Sequence, residues 1–132
     1  MEATSIGLST QVMGGEDSDA VVDQGKIWHW SGTGTPDIYS HIVTFAHRTS
    51  KGGVYRNIDQ LAIGDLITVT GPTGQRWEYK VAGSEVVDPS ASSIYAAARA
   101  HGGPSISLVA CSKADGSPTS LAYRIVVTAV AI

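Results

Sequence analysis

The stretch ITVTGPTGQRWEYKV, residues 67–81, decides the fold. Apolar and polar residues alternate on either side of Gly71-Pro72-Thr73-Gly74, the pattern of two antiparallel strands joined by a tight turn. β-branched and aromatic side chains fill both arms and suit a half-buried pleated surface. Working outward, strand-like runs recur at 5–13, 27–30, 41–47, 66–71, 76–87, 105–111 and 123–130. Glycine- and proline-bearing turns separate them. Helical periodicity is nearly absent. Residues 91–100, ASSIYAAARA, are the best helix, entered after Asp88-Pro89-Ser90 and stopped by Gly102-Gly103. Residues 17–23 and 58–61 predict further helical turns. The pattern predicts a mainly β protein: one closed or nearly closed barrel of seven to eight strands with a few short helices.

Composition narrows the function. The chain has 132 residues, 42% apolar and 16% charged, which suits one globular domain over 1–132. Nine basic and twelve acidic side chains give a net charge of −3 without a basic run, which argues against nucleic acid as a partner. One cysteine cannot form an internal disulfide, and no CxxC or Cys/His cluster suggests zinc. No run approaches the ~18 apolar residues of a membrane span. The first residues also lack a signal-peptide pattern, so any N-terminal anchor lies outside them.

That single cysteine, Cys111, sits at the end of the apolar run ISLVAC. A lone cysteine is often a small buried hydrophobe. However, His47 closes another apolar run, HIVTFAH, and Arg124 lies near the start of a third. If adjacent strands bring these ends together, a thiol, an imidazole and a guanidinium meet at one rim. An imidazole can take the thiol proton, and a permanently charged guanidinium can hold an oxyanion or a peptide carbonyl.

These residues stand in a co-linear context that resembles the sortase family. TFAHRTSKGGVYRNIDQLAIGDLITVTG is similar to the segment carrying the sortase histidine, with Tyr55, Ile58-Asp59-Gln60-Leu61 and Gly64-Asp65 in the expected order. EYKVAGSEVVDPSASSI resembles the long strand and the Val-Val-Asp-Pro step after it. SLVAC resembles the Thr-Leu-x-Thr-Cys signature, and YRIVVTAV the final strand that supplies the arginine. The resemblance runs from about Ile6 to the C-terminus. Departures are Ala46 for a glycine, Ser107 for the first threonine of the signature, and Ala110 for the threonine before Cys111.

The resemblance implies a cysteine transpeptidase of the compact class D or E type, needing no cofactor. It would cleave a Leu-Pro-x-Thr-Gly-like signal, or Leu-Ala-x-Thr-Gly, between Thr and Gly. Cys111 is then the nucleophile, His47 the acid and base, and Arg124 the oxyanion or backbone holder. Val109, Ala110, Ile94 and Tyr95 are the implied substrate contacts. Implied partners are sorting-signal-bearing surface proteins and a peptidoglycan-precursor amine, met by a monomer at the outer face of the plasma membrane. Two alternatives stand beside this: a peptidase that only hydrolyses, and a degenerate module that binds wall or partner peptides without turnover.

Other features read as structural. His29 and His41, with His47, lack the carboxylate or thiol partners of a metal site. Trp28 and Trp30 alternate along a strand, which predicts one facing the core and one the surface. The acidic run Glu16, Asp17, Asp19 and Asp23 predicts a solvated turn or helix start and lacks an EF-hand pattern. Asp88-Pro89 reads as a turn. Arg48 reads as structural, and is the rival to Arg124.

Overall fold

The computed structural model describes residues 1–36 and 40–132. Among these residues nine strands form one sheet: β1 (Glu2–Ala3), β2 (Leu8–Ser9), β3 (Val12–Met13), β4 (Ile27–His29), β5 (His41–Phe45), β6 (Leu66–Thr70), β7 (Arg76–Val87), β8 (Ser105–Ser112) and β9 (Tyr123–Ala131). Their order across the sheet is β2-β1-β6-β7-β9-β8-β5-β4-β3. The two outermost strands, β2 and β3, are consecutive in the chain. The sheet therefore curls until both edges belong to one short segment, and the barrel is closed by covalent continuity rather than by a ladder. Thr10 N–H donates to the Met1 carbonyl on one side of this seam, and Ile27 N–H to the Gln11 carbonyl on the other.

Residues 5–13 are thus not the single strand that alternation predicts. A 3-10 turn (Thr4–Ile6) ends on Gly7 at φ +69°, and two short strands follow. The segment must leave one partner, β1, and reach another, β4, so it cannot stay straight. Elsewhere the expected elements form. Residues 67–81 are the hairpin β6–β7, with Gly71 N–H donating to the Gln75 carbonyl. Helix α1 (Ser18–Val22) takes Asp17 as its N-cap, and a 3-10 turn forms at Ile58–Gln60. Helix α2 (Ala91–Ala98) is capped by the Ser90 hydroxyl accepting from Ser93 N–H, and stops two residues before the predicted end.

The barrel wall has two sides, and period-2 alternation sorts residues between them. Ile42, Ala46, Ile106, Leu108, Ala110, Ile125, Val127 and Ala129 fill the interior together with Tyr55 and Ile58. Val43, Val109 and Val126 point the other way and are covered by Ile94, Ala97 and Ala98 of α2. Buried polar groups on both sides are paired. Thr44 Oγ1 lies 2.7 Å from the Tyr55 hydroxyl and donates to the Ser107 carbonyl. Ser107 Oγ lies 2.8 Å from Thr128 Oγ1. Burial of Tyr55 pushes its phenol well above the ordinary value of 10.0.

Candidate active site

The ladder pattern brings three chain-distant residues to one rim. β5 and β8 run parallel in the register Phe45↔Val109, so His47 and Cys111, each two residues further on, emerge side by side. β8 and β9 run antiparallel with Cys111↔Arg124 in register. By alternation Phe45, His47, Val109, Cys111 and Arg124 share the outer side of the wall, above α2's packing face and not inside the barrel. Cys111 is a free, half-buried thiol.

A cleft of about 410 Å³ opens along this side, within the ~300–1,000 Å³ range of ligand sites. His47, Cys111 and Arg124 line it, together with Val109, Ala110 and Ile94. Ser18, Asp19 and Val22 of α1 and Pro89 and Ala91 also line it. Tyr95 does not line the cleft; it packs edge-on to Trp30 at 6.1 Å, with the Arg99 guanidinium 4.8 Å over its ring. A second cleft, about 400 Å³, lies beyond the same pair and is lined by His47, Cys111, Thr49, Ser50, Thr119 and Leu121. His47 and Cys111 belong to both.

The two arginines have different surroundings. Arg48 is 2% exposed, and four of its donors are taken. Nε donates to the Arg56 carbonyl, Nη1 to the Cys111 carbonyl, and Nη2 to Asp59 Oδ1 and the Gly116 carbonyl. It ties the end of β8 to the loop after it and to Arg56 and Asp59, which leaves a single Nη1–H on the second cleft. Arg124 is only half-buried, and Nη1 is steadied by the Leu121 and Tyr123 carbonyls. Among the described residues its Nε and Nη2 have no protein acceptor. A guanidinium held at one corner with donors to spare can grip a carbonyl or an oxyanion.

Two of the departures from the family signature fall together. Extending the β5–β8 register pairs Ala46 with Ala110, and both pack within the barrel core at 7% and 3% exposure. The third, Ser107, keeps a hydroxyl and satisfies it on Thr128.

The sequence reading missed part of the cleft. Trp28 and Trp30, two residues apart, fall on one side of the strand, not on opposite sides. Both pack on Phe45, Trp28 tilted at 5.5 Å and Trp30 edge-on at 5.8 Å, and all three line the cleft. The acidic run is the expected helix start, and it also reaches the cleft. Asp17 caps α1, Asp19 lines the cleft, and Asp23 Oδ1 lies 2.7 Å from His47 Nε2. The antiparallel register Trp28↔Phe45 explains this, because it carries the residues just before β4 alongside His47. That pairing was the signal that could have found them. His29 Nε2 meets the Gly34 carbonyl at 2.8 Å, and His41 Nδ1 the Ser105 hydroxyl at 2.8 Å, both away from the cleft.

The model of the sortase domain matches residues 1–132. This chain belongs to the sortase family. Solved sortases share its fold. Sortase E1 from Streptomyces coelicolor, solved with a tripeptide in its active site, is similar at TM-score 0.85 and 24% identity, covering 99% of this chain and 85% of that one. Group B Streptococcus pilus island 1 sortase C2 is similar at TM-score 0.79 and 26% identity, over 99% of this chain and 71% of that one. The Clostridium perfringens sortase D5 transpeptidase is similar at TM-score 0.75 and 24% identity, over 99% and 76%. No curated protein matches. Sortases as a family are cysteine transpeptidases that act at the cell surface on sorting-signal proteins and cell-wall precursors. Among the described residues of this sortase, no helix is long and apolar enough to cross a membrane.

Proposed function

We propose that this sortase cleaves a Leu-Pro-x-Thr-Gly-like or Leu-Ala-x-Thr-Gly signal between Thr and Gly and passes the acyl group to a cell-wall amine. The observation that carries this reading is the position of Cys111 and His47 on the border shared by two clefts. The first cleft, lined by Trp28, Trp30 and Phe45, suits a peptide, as the tripeptide in the Streptomyces coelicolor enzyme suggests. The second offers an amine its own approach to the thioester.

In the first half-reaction the Cys111 thiol loses its proton to His47 and attacks the Thr carbonyl. Arg124 donates to the oxygen that becomes negative, and His47 returns a proton to the glycine amine as the C–N bond breaks. In the second, the acceptor amine attacks the thioester, gives up a proton to His47, and the thiol is restored. Val109, Ala110 and Ile94 border the acyl side, with Tyr95 acting through Trp30. Resemblance to sortases E1 and D5 supports a compact class D or E enzyme, working as a monomer on the outer face of the membrane.

The experiment uses Leu-Pro-x-Thr-Gly and Leu-Ala-x-Thr-Gly peptides with and without triglycine, and reads products by mass. The proposal expects the triglycine-joined peptide to dominate at saturating amine. Hydrolysis alone under those conditions would leave a peptidase. Tight peptide binding without turnover would leave a binding module. The degenerate reading is the weaker one, because Ala46 and Ala110 pack in the core while the thiol, imidazole and guanidinium remain at the rim.

A further inference from the structure

Asp23 is a carboxylate that the reaction described so far does not use, and it touches His47 at 2.7 Å through Nε2. An ionised carboxylate only accepts hydrogen bonds, so at this distance Nε2 must carry the proton. We infer that Asp23 is a positioning residue for His47: it holds the imidazole as the Nε2–H form, so that Nδ1 is the nitrogen that exchanges protons with Cys111 and the amines. This rests on the reading of His47 as the acid and base.

The contact is built from both sides. Asp23 closes α1, its N–H donating to the Asp19 carbonyl, and Gln24 and Gly25 continue the turn onto Val21 and Val22. The Gln24 side-chain amide donates to the Ala20 carbonyl at 2.8 Å. Buried Val21 and Val22 fasten the helix to the body. Gly25 then sits at φ +72°, where an added Cβ would lie 2.9 Å from the Lys51 carbonyl oxygen. Only glycine lets this turn press so closely on the loop that leaves His47. On the other side, the His47 carbonyl accepts from Tyr55 N–H at 3.1 Å, which fixes the histidine backbone.

The proton balance follows. Neutral His47 presents the Nδ1 lone pair, takes the thiol proton and becomes imidazolium, with Nε2–H still on Asp23. As the peptide C–N bond breaks, Nδ1–H passes to the leaving amine and the neutral form returns. The acceptor amine then gives its proton to Nδ1, which passes it to the departing Cys111 sulfur. Without Asp23 the ring can rotate or populate the Nδ1–H form, which cannot accept the thiol proton.

The test compares the full chain with Asp23→Ala, Asp23→Asn and, as a charge control outside both clefts, Glu16→Gln. Nitrogen-15 spectra of the His47 ring should show Nε2 protonated in the unaltered protein and mixed tautomers in Asp23→Ala. For peptide transfer to triglycine, Asp23→Ala should lower kcat about tenfold with KM changed less than about twofold; partial exposure of the pair puts this at the low end for carboxylate partners of functional histidines. Asp23→Asn, whose amide can donate to Nε2 as well as accept from it, should recover rate only to the extent that its Nε2–H signal recovers, while Glu16→Gln should match the unaltered protein. Iodoacetamide alkylation of Cys111 should also slow in Asp23→Ala, a readout that needs no sorting signal. Thus peptide inactivity of the unaltered protein, with the alkylation and tautomer results intact, would overturn the substrate reading and spare this one. An Nδ1–H form in the unaltered protein, undiminished kcat in Asp23→Ala, or an Asp23→Asn whose rate does not follow its Nε2–H population would overturn the inference.

Discussion

At the residue scale, the two arginines near Cys111 separate by what surrounds them. Arg48 is consumed by four protein acceptors and serves the backbone, including the Cys111 carbonyl. Arg48→Lys leaves a compact ammonium that cannot span those acceptors, and should lower unfolding stability by about 2–4 kcal/mol in chemical denaturation. Arg124→Ala should leave the denaturation midpoint nearly unchanged and reduce kcat/KM for peptide transfer about a hundredfold, the size of losing an oxyanion donor. The alanine pair makes a complementary case. Ala110→Thr brings a hydroxyl against the barrel core beside Ala46 and should destabilise by about 1–3 kcal/mol, read by the same denaturation. Sequence could nominate His47, Cys111 and Arg124, because each ends or begins an apolar run. It could not nominate Asp23, whose role depends on which strand lies beside which.

At the element scale, α2 and the step before it form one flank of the peptide cleft, and a carboxylate holds their junction. Asp88 Oδ1 accepts from Ser90 N–H and Oδ2 from the Ser93 hydroxyl, at 2.8 Å each. The Ser90 and Ser93 bonds hold its carboxyl below the ordinary 3.8. A depressed carboxyl stabilises the folded form when ionised. The contribution is complete above pH 3.8 and is lost as pH falls through the lower folded value. Amide protection factors at Ser93 and Ile94, taken against the intrinsic rate at each pH, should therefore fall selectively on acidification, and Asp88→Asn should remove that acid dependence. The turn Asp88-Pro89-Ser90 and the helix after it were legible, since cap and breaker residues act locally. The 5–13 segment was not, because its bend serves a seam between strands far apart in the chain.

At the scale of the whole molecule, the barrel is an open sheet whose two edges are neighbours in sequence, and its interior is sealed around Tyr55. The buried phenol titrates above its ordinary value of 10.0 because burial penalises the anion. A raised phenol favours the folded state below the unfolded value, and this is lost as pH rises beyond it. Stability should thus fall with pH above 10.0, and Tyr55→Phe should flatten that alkaline limb while costing about 1 kcal/mol at neutral pH through the lost Thr44 bond. The same barrel explains why chemistry sits at one rim. Parallel β5–β8 and antiparallel β8–β9 ladders align three strand ends there, a pairing that alternation along any single strand does not encode. The central claim is that Cys111 at this rim is acylated by a sorting signal. Mixing the protein with a Leu-Pro-x-Thr-Gly or Leu-Ala-x-Thr-Gly peptide, quenching in acid and mapping the adduct by mass tests it most directly. The account predicts a thioester on the Cys111 peptide that triglycine discharges; a folded protein that acquires no adduct, or acquires it elsewhere, would contradict it.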